Sequence, residues 1–158
     1  RWPCRLEKIG GLPIILDVTH TAAGTKTVAE DIGRLYGKAD IVIGMLKDKN
    51  LQAAAESLSR VSGRVFVSPL DTDRSADAET LKRIFEERSC DTVLCGSISD
   101  AMDAAMGSRK DDINILVTGS FHTAEEAVAW LRRTYPGYWT YSQRSMGEGH
   151  IREDRRKD

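Results

Sequence analysis

The chain has 158 residues, 41% of them hydrophobic and 30% charged, which is the balance of one ordinary globular domain with a core of its own. A formal net charge of −1 supplies no field to draw it to nucleic acid or a membrane surface, and no apolar run nears the roughly 20 residues that cross a bilayer. Cys4, Cys90 and Cys95 are odd in number and lack C-x-x-C spacing, which argues against a disulfide framework or zinc site and for a reduced, cytoplasmic setting.

The chain opens Arg1-Trp2-Pro3-Cys4-Arg5 with no apolar h-region, so no secretory leader is expected, and a start without Met fits an excised fragment or processing. Residues 1–12 read as a short strand and turn feeding the first core strand. Core strands are expected at Pro13–Val18, Asp40–Met45, Arg64–Ser68, Thr92–Gly96 and Ile113–Thr118. Runs such as Ile14-Ile15-Leu16 and Ile41-Val42-Ile43 are continuously apolar, the pattern of strands covered on both faces, and Cys95 reads as a small core residue within such a run. Helices fill the gaps. Ala22–Tyr36 sets Val28, Ile32 and Leu35 on one stripe and stops at Gly37, and Asn50 caps Leu51–Arg60. Asp77 caps a helix to about Arg88 with Leu81, Ile84 and Phe85 inward. Ser99 or Asp100 opens a short helix ending at Gly107, and His122 or Thr123 opens the last, with Ala127, Val128 and Leu131 inward. Five βα units in series predict a doubly wound, mostly parallel Rossmann-like α/β sheet of five or six strands with helices on both faces. Periodicity ends near Arg133, so residues 1–133 form the expected domain and residues 134–158 an extension, disordered or a linker, closing on the charged run Arg152–Asp158.

Ligands of open α/β sheets bind beyond the carboxyl ends of the strands. Collected there are Asp17 and His20 after the first strand, Lys47 and Lys49 after the second, Asp71 and Arg74 after the third, and Gly119-Ser120-Phe121-His122 after the fifth. Singly, Asp17 reads about as well as a loop or cap residue, His20 as a helix-start residue, the lysines as solvated, and Gly119-Ser120 as a turn and N-cap. Together at one rim, cationic groups and a helix N-terminus suit an anionic ligand. The chain has no G-x-G-x-x-G, no G-x-x-x-x-G-K-[ST], no H-E-x-x-H and no G-x-S-x-G, so dinucleotide, P-loop, zincin and α/β-hydrolase chemistries lack their motifs. A free-standing receiver-like or flavodoxin-like binding module is the other reading of such a rim.

Four segments carry a family resemblance. Trp2-Pro3-Cys4-Arg5-Leu6-Glu7 is similar to W-P-G-R-L-E, Asp17-Val18-Thr19-His20-Thr21 to D-G-A-H-N, Gly44–Asn50 to G-x-x-x-D-K-D, and Val117-Thr118-Gly119-Ser120-Phe121 to T-G-S-L/F-Y. In order and spacing the chain thus resembles the C-terminal domain of folylpolyglutamate and dihydrofolate synthases, of the Mur ligase superfamily. The resemblance implies a domain that closes on an upstream central ATPase domain carrying the P-loop and Mg2+, and so is inactive alone. It implies an ATP-dependent ligase that activates a folate-like carboxylate as an acyl phosphate, which the amine of glutamate attacks. It assigns Arg5 to the ATP phosphates, Asp17 to the ribose, His20, Ser120 and Phe121 to the incoming glutamate, and Lys47 and Lys49, with His20, to the catalytic side of that site. The chain departs from the pattern at Cys4 for Gly, at Val18-Thr19 for Gly-Ala, and at Thr21 for Asn.

Overall fold

The computed structural model describes residues 5–138; Trp2-Pro3-Cys4 and the extension from Trp139 onward lie outside them. Six strands form one sheet in the order β1-β2-β6-β3-β4-β5: β1 (Glu7–Lys8), β2 (Ile14–Leu16), β3 (Ala39–Ile43), β4 (Ser62–Val67), β5 (Asp91–Leu94) and β6 (Asn114–Thr118). All neighbours pair in parallel except β1, which runs antiparallel to β2 with Glu7 opposite Leu16. The doubly wound sheet expected from the apolar runs is present.

Alternation along each strand divides the core in two. Ile15, Ile41, Ile43, Val65, Val67 and Leu116 face α1 (Ala22–Tyr36), α2 (Leu51–Leu58) and α3 (Ala78–Glu86). Ile14, Leu16, Val42, Phe66, Ile115 and Val117 face α4 (Ile98–Ser108) and α5 (Phe121–Thr134). The α4–α5 pair is tied by the Trp130 indole N–H, which donates to Asp103 at 2.8 Å. Beyond α5, Tyr135 meets Trp130 edge-on at 5.6 Å, and a 3-10 turn covers Pro136–Tyr138. A β-bulge sits between β3 and β4 near Asp40. The Asp40 carboxylate accepts the Arg64 amide at 2.8 Å, and a Cβ on Gly63 would stand 2.4 Å from the same oxygen.

Several element bounds differ from the expected ones. Helix α4 begins at Ile98 because the Ser97 hydroxyl accepts the Asp100 amide, and it continues through Gly107 to Ser108. Helix α5 begins at Phe121, capped by Ser120, so His122 and Thr123 lie inside its first turn. Helices α2 and α3 end at Leu58 and Glu86, short of Arg60 and Arg88. Leu35 is 53% exposed, off the buried stripe of Val28 and Ile32, because only part of the α1 circumference meets the sheet. Strand β5 is an edge, with Leu94 42% exposed and Cys95 half-buried rather than in the core.

Candidate functional site

Strand order decides which loops meet. The last strand, β6, lies between β2 and β3. From β2 and β3 the chain leaves into α1 and α2 on one face of the sheet, whereas from β6 it leaves into α5 on the other. Adjacent strands whose connections depart in opposite directions open a crevice at their carboxyl ends. The three loops at that crevice are Asp17–Thr21 after β2, Gly119–Ser120 after β6, and Gly44–Asn50 after β3. Three of the four sequence segments therefore sit side by side. The fourth, with Arg5, joins at the β2 flank through the antiparallel strand β1. Asp71 and Arg74 follow on the far side, after β4.

Two glycines let the central loops approach. Gly119 has φ +119°, and a Cβ there would stand 2.2 Å from the Gly44 carbonyl oxygen. A Cβ on Gly44 would stand 2.5 Å from a Leu70 methyl. The contact is then locked by Thr123, whose buried hydroxyl donates to the Gly44 carbonyl at 2.7 Å and lies 2.9 Å from the Ser120 hydroxyl. The Lys47 loop is fixed from its other side, where the Lys47 amide donates to the Arg74 carbonyl at 2.8 Å and the Ala76 amide to the Met45 carbonyl at 2.7 Å. Thr123 read only as a helix start in the sequence; its spacing of three from the capping serine was the available signal.

The expected site residues divide by exposure. Arg5, His20 and Lys47 are exposed and Lys49 is partly so; Phe121 is 52% exposed. His20 Nδ1 lies 3.4 Å from the Val18 carbonyl oxygen, and the Lys49 ammonium is 3.9 Å from Asp48. Arg74 also approaches Asp48 at 3.9 Å. The rim thus presents a guanidinium, an imidazole and two ammonium groups beside the N-terminus of the 14-residue helix α5, a combination suited to carboxylate or phosphate.

Asp17 and Ser120, by contrast, turn inward. The Asp17 carboxylate is 0% exposed, with Oδ2 accepting the Leu6 amide at 3.0 Å and Oδ1 the Thr19 amide at 2.8 Å. The Ser120 hydroxyl is 1% exposed and accepts the Thr123 amide at 3.0 Å, capping α5. Neither side chain faces the crevice. Thr21, which replaces Asn, caps α1 by accepting the Gly24 amide at 3.0 Å.

Glu126, one turn further along α5, escaped the sequence reading. Its Oε2 is buried without a hydrogen-bond partner. Burial pushes its carboxyl above the usual range; the Asp71 amide opposes that shift, while the Asp71 charge adds to it. Burial, and then the Asp100 charge, also raises the Cys95 thiol, which favours its protonated form. A shallow groove of about 450 Å³, lined by Lys8, Pro13, Arg109, Asp112 and Asn114, lies at the opposite, amino-terminal end of β2 and β6.

Comparison with known proteins agrees with this fold. The family described as "Mur ligase, glutamate ligase domain" matches residues 4–121. The chain is 31% identical over 135 residues to a probable bifunctional folylpolyglutamate synthase/dihydropteroate synthase of Halobacterium salinarum, covering 83% of this chain and 16% of that protein. It is 33% identical over 125 residues to the dihydrofolate synthase/folylpolyglutamate synthase of Escherichia coli K12, covering 77% and 28%. The solved structure of E. coli FolC in complex with ADP, without folate substrate, superposes with a TM-score of 0.75 at 27% identity, over 86% of this chain and 33% of that one. The chain therefore spans 16% and 28% of the length of these two curated relatives.

Proposed function

From the premise that this chain belongs to the Mur ligase glutamate-ligase-domain family, we propose that it serves as the C-terminal domain of an ATP-dependent ligase adding glutamate to folate or a folate-like pterin. The observation that carries this reading is the insertion of β6 between β2 and β3, which brings the His20, Ser120–Phe121 and Lys47–Lys49 loops to one crevice. In the proposed reaction the pterin's carboxylate attacks the γ-phosphorus of ATP, giving an acyl phosphate and ADP. The glutamate amine then attacks the acyl carbon, an amide bond forms and phosphate leaves.

Each rim residue has a matching part. The Arg5 guanidinium holds ATP phosphate oxygens, for which its fork geometry is suited. Lys47 and Lys49 supply positive charge toward the glutamate carboxylates and the phosphate that develops charge on transfer. His20 orients the amino acid, and Phe121 packs against its aliphatic part. Ser120 acts through the helix start that it caps, since its hydroxyl is buried. ATP and Mg2+ are held mainly by a central ATPase domain, the partner against which this rim closes. Among the described residues no three His, Cys, Asp or Glu side chains gather as a metal centre needs. A receiver-like module would instead present an acidic cluster beside a carboxylate that ends a strand; Asp71 after β4 is exposed, but Asp17 is buried on two backbone amides.

The test is to express the full open reading frame that contains this segment and to follow ADP release with a pterin acceptor. Release is expected to depend on glutamate, and the 158-residue chain by itself is expected to release none. His20→Ala in the full protein should cut the rate by about a hundredfold, the scale of a lost positioning contact. Release indifferent to glutamate, or turnover by the isolated chain comparable with that of the full protein, overturns the proposal.

A further inference from the structure

The loop after β4 is held more firmly than an exposed loop requires, and Arg74 stands on it. The Leu70 amide donates to the Ser75 hydroxyl at 2.8 Å, the Ser75 amide to the Thr72 carbonyl at 3.0 Å, and the Arg74 amide to the Thr72 hydroxyl at 3.3 Å. Leu46 and Ser75 pair as an antiparallel bridge, flanked by the two backbone bonds that join this loop to the Lys47 loop. The backbone of residue 74 is therefore fixed against the loop after β3, while its side chain stays 59% exposed. One oxygen of Asp48, Oδ2, lies 3.9 Å from Arg74 Nη2 and 3.9 Å from Lys49 Nζ. At that distance the carboxylate draws both cations to one spot without hydrogen-bonding either. Asp71 and Asp73 share the loop with Arg74, but among the described residues Asp48 is its one ion-pair partner. The guanidinium and the ammonium thus converge with their donors free.

We propose that Arg74 is a specificity-determining residue, which with Lys49 binds the side-chain carboxylate of the incoming amino acid and so selects glutamate over neutral amino acids. The proposal rests on the function given above, in which glutamate enters this rim. The N-terminus of α5 suits one of its two carboxylates. The loop after β3 lies one strand spacing from the loop after β6, about 5 Å, close to the separation of glutamate's two carboxylates. There a planar guanidinium beside an ammonium meets the second carboxylate with a fork and a point charge together. Asp48 holds the two cations side by side until that carboxylate arrives.

Preference for glutamate over glutamine in the full protein reads this role, because glutamine keeps the shape and loses the charge. Arg74→Ala is expected to raise KM for glutamate about tenfold or more, the scale of one lost charge-assisted contact. KM for ATP, and kcat at saturating glutamate, should stay within about twofold of their starting values, since Arg74 meets neither the nucleotide nor the reacting atoms. The ratio of kcat/KM for glutamate to that for glutamine should fall by about the same tenfold. Arg74→Lys, which keeps the charge and loses the planar fork, should recover part of both effects. Either variant leaves in place the Arg74 carbonyl that the Lys47 amide needs and changes only an exposed side chain, so folding is expected to survive. A rise in KM shared equally by glutamate and glutamine would mean that the loop was merely disturbed and would overturn the role, as would an unchanged KM for glutamate. ADP release indifferent to glutamate in the unsubstituted protein overturns the ligase reading itself, and the assignment of Arg74 with it.

Discussion

Thr19 places its methyl group where a side chain on residue 24 would otherwise stand. A Cβ built on Gly24 would lie 2.3 Å from Thr19 Cγ2 and 2.9 Å from the Thr21 hydroxyl oxygen. The bulk that distinguishes Thr19 from the smaller residue of the resembled pattern is therefore absorbed inside the loop by a glycine in the first turn of α1. Gly24→Ala should cost about 1–3 kcal/mol through overpacking, against the ~1 kcal/mol that alanine normally gains in a helix. Urea denaturation of the chain measures this, and adding Thr19→Ala should recover most of the loss. At this scale the sequence told which residue types meet at the rim but not which way they point. Asp17 and Ser120 were legible as polar groups after strands. Their burial was not, because it depends on the amides of Leu6 and Thr123, which folding brings from elsewhere.

Among the elements, helix interiors were easier to read than helix ends. The apolar spacing of Leu81, Ile84 and Phe85, and of Ala127, Val128 and Leu131, matches the buried faces of α3 and α5. At the ends, two or three adjacent polar residues compete for the cap, and the winner is the one whose hydroxyl reaches the third amide ahead, as Ser97 and Ser120 do. The tightest junction between elements is the approach of the β3 and β6 loops at Gly44 and Gly119. Gly119→Ala places a methyl 2.2 Å from the Gly44 carbonyl on a left-handed backbone, and should destabilise the domain by about 3 kcal/mol or more. Gly107→Ala, within α4 and with nothing within 4 Å of its Cβ position, should instead stabilise by about 0.5–1 kcal/mol. The shift in urea midpoint compares the two, and a neutral Gly119→Ala would remove the close approach as the reason for glycine there.

Over the whole molecule, the number, order along the chain and parallel character of the core strands were readable from apolar runs and helix lengths, but their lateral order was not. Periodicity reports burial, and it gives no sign that β6 inserts between β2 and β3. The stability of the assembled fold should carry one pH signature from Glu126, which packs against the loop after β4. Its carboxyl is raised above 4.5 by burial, so the fold favours the protonated form more than the open chain does. That stabilisation is present below about pH 4.5 and is lost as pH rises through the raised value. Glu126→Gln should therefore melt above the unsubstituted chain near neutral pH and level with it near pH 4, as thermal unfolding at the two pH values reports. The lateral strand order bears also on how the molecule is made. Strand β2 pairs only with β1 and β6, and β3 only with β4 and β6, so until residues 114–118 emerge from the ribosome the sheet exists as two unjoined pieces with bare hydrogen-bonding edges. Of the described strands, the one synthesised last is the keystone, and a nascent chain stalled before it would expose two sticky edges to its neighbours.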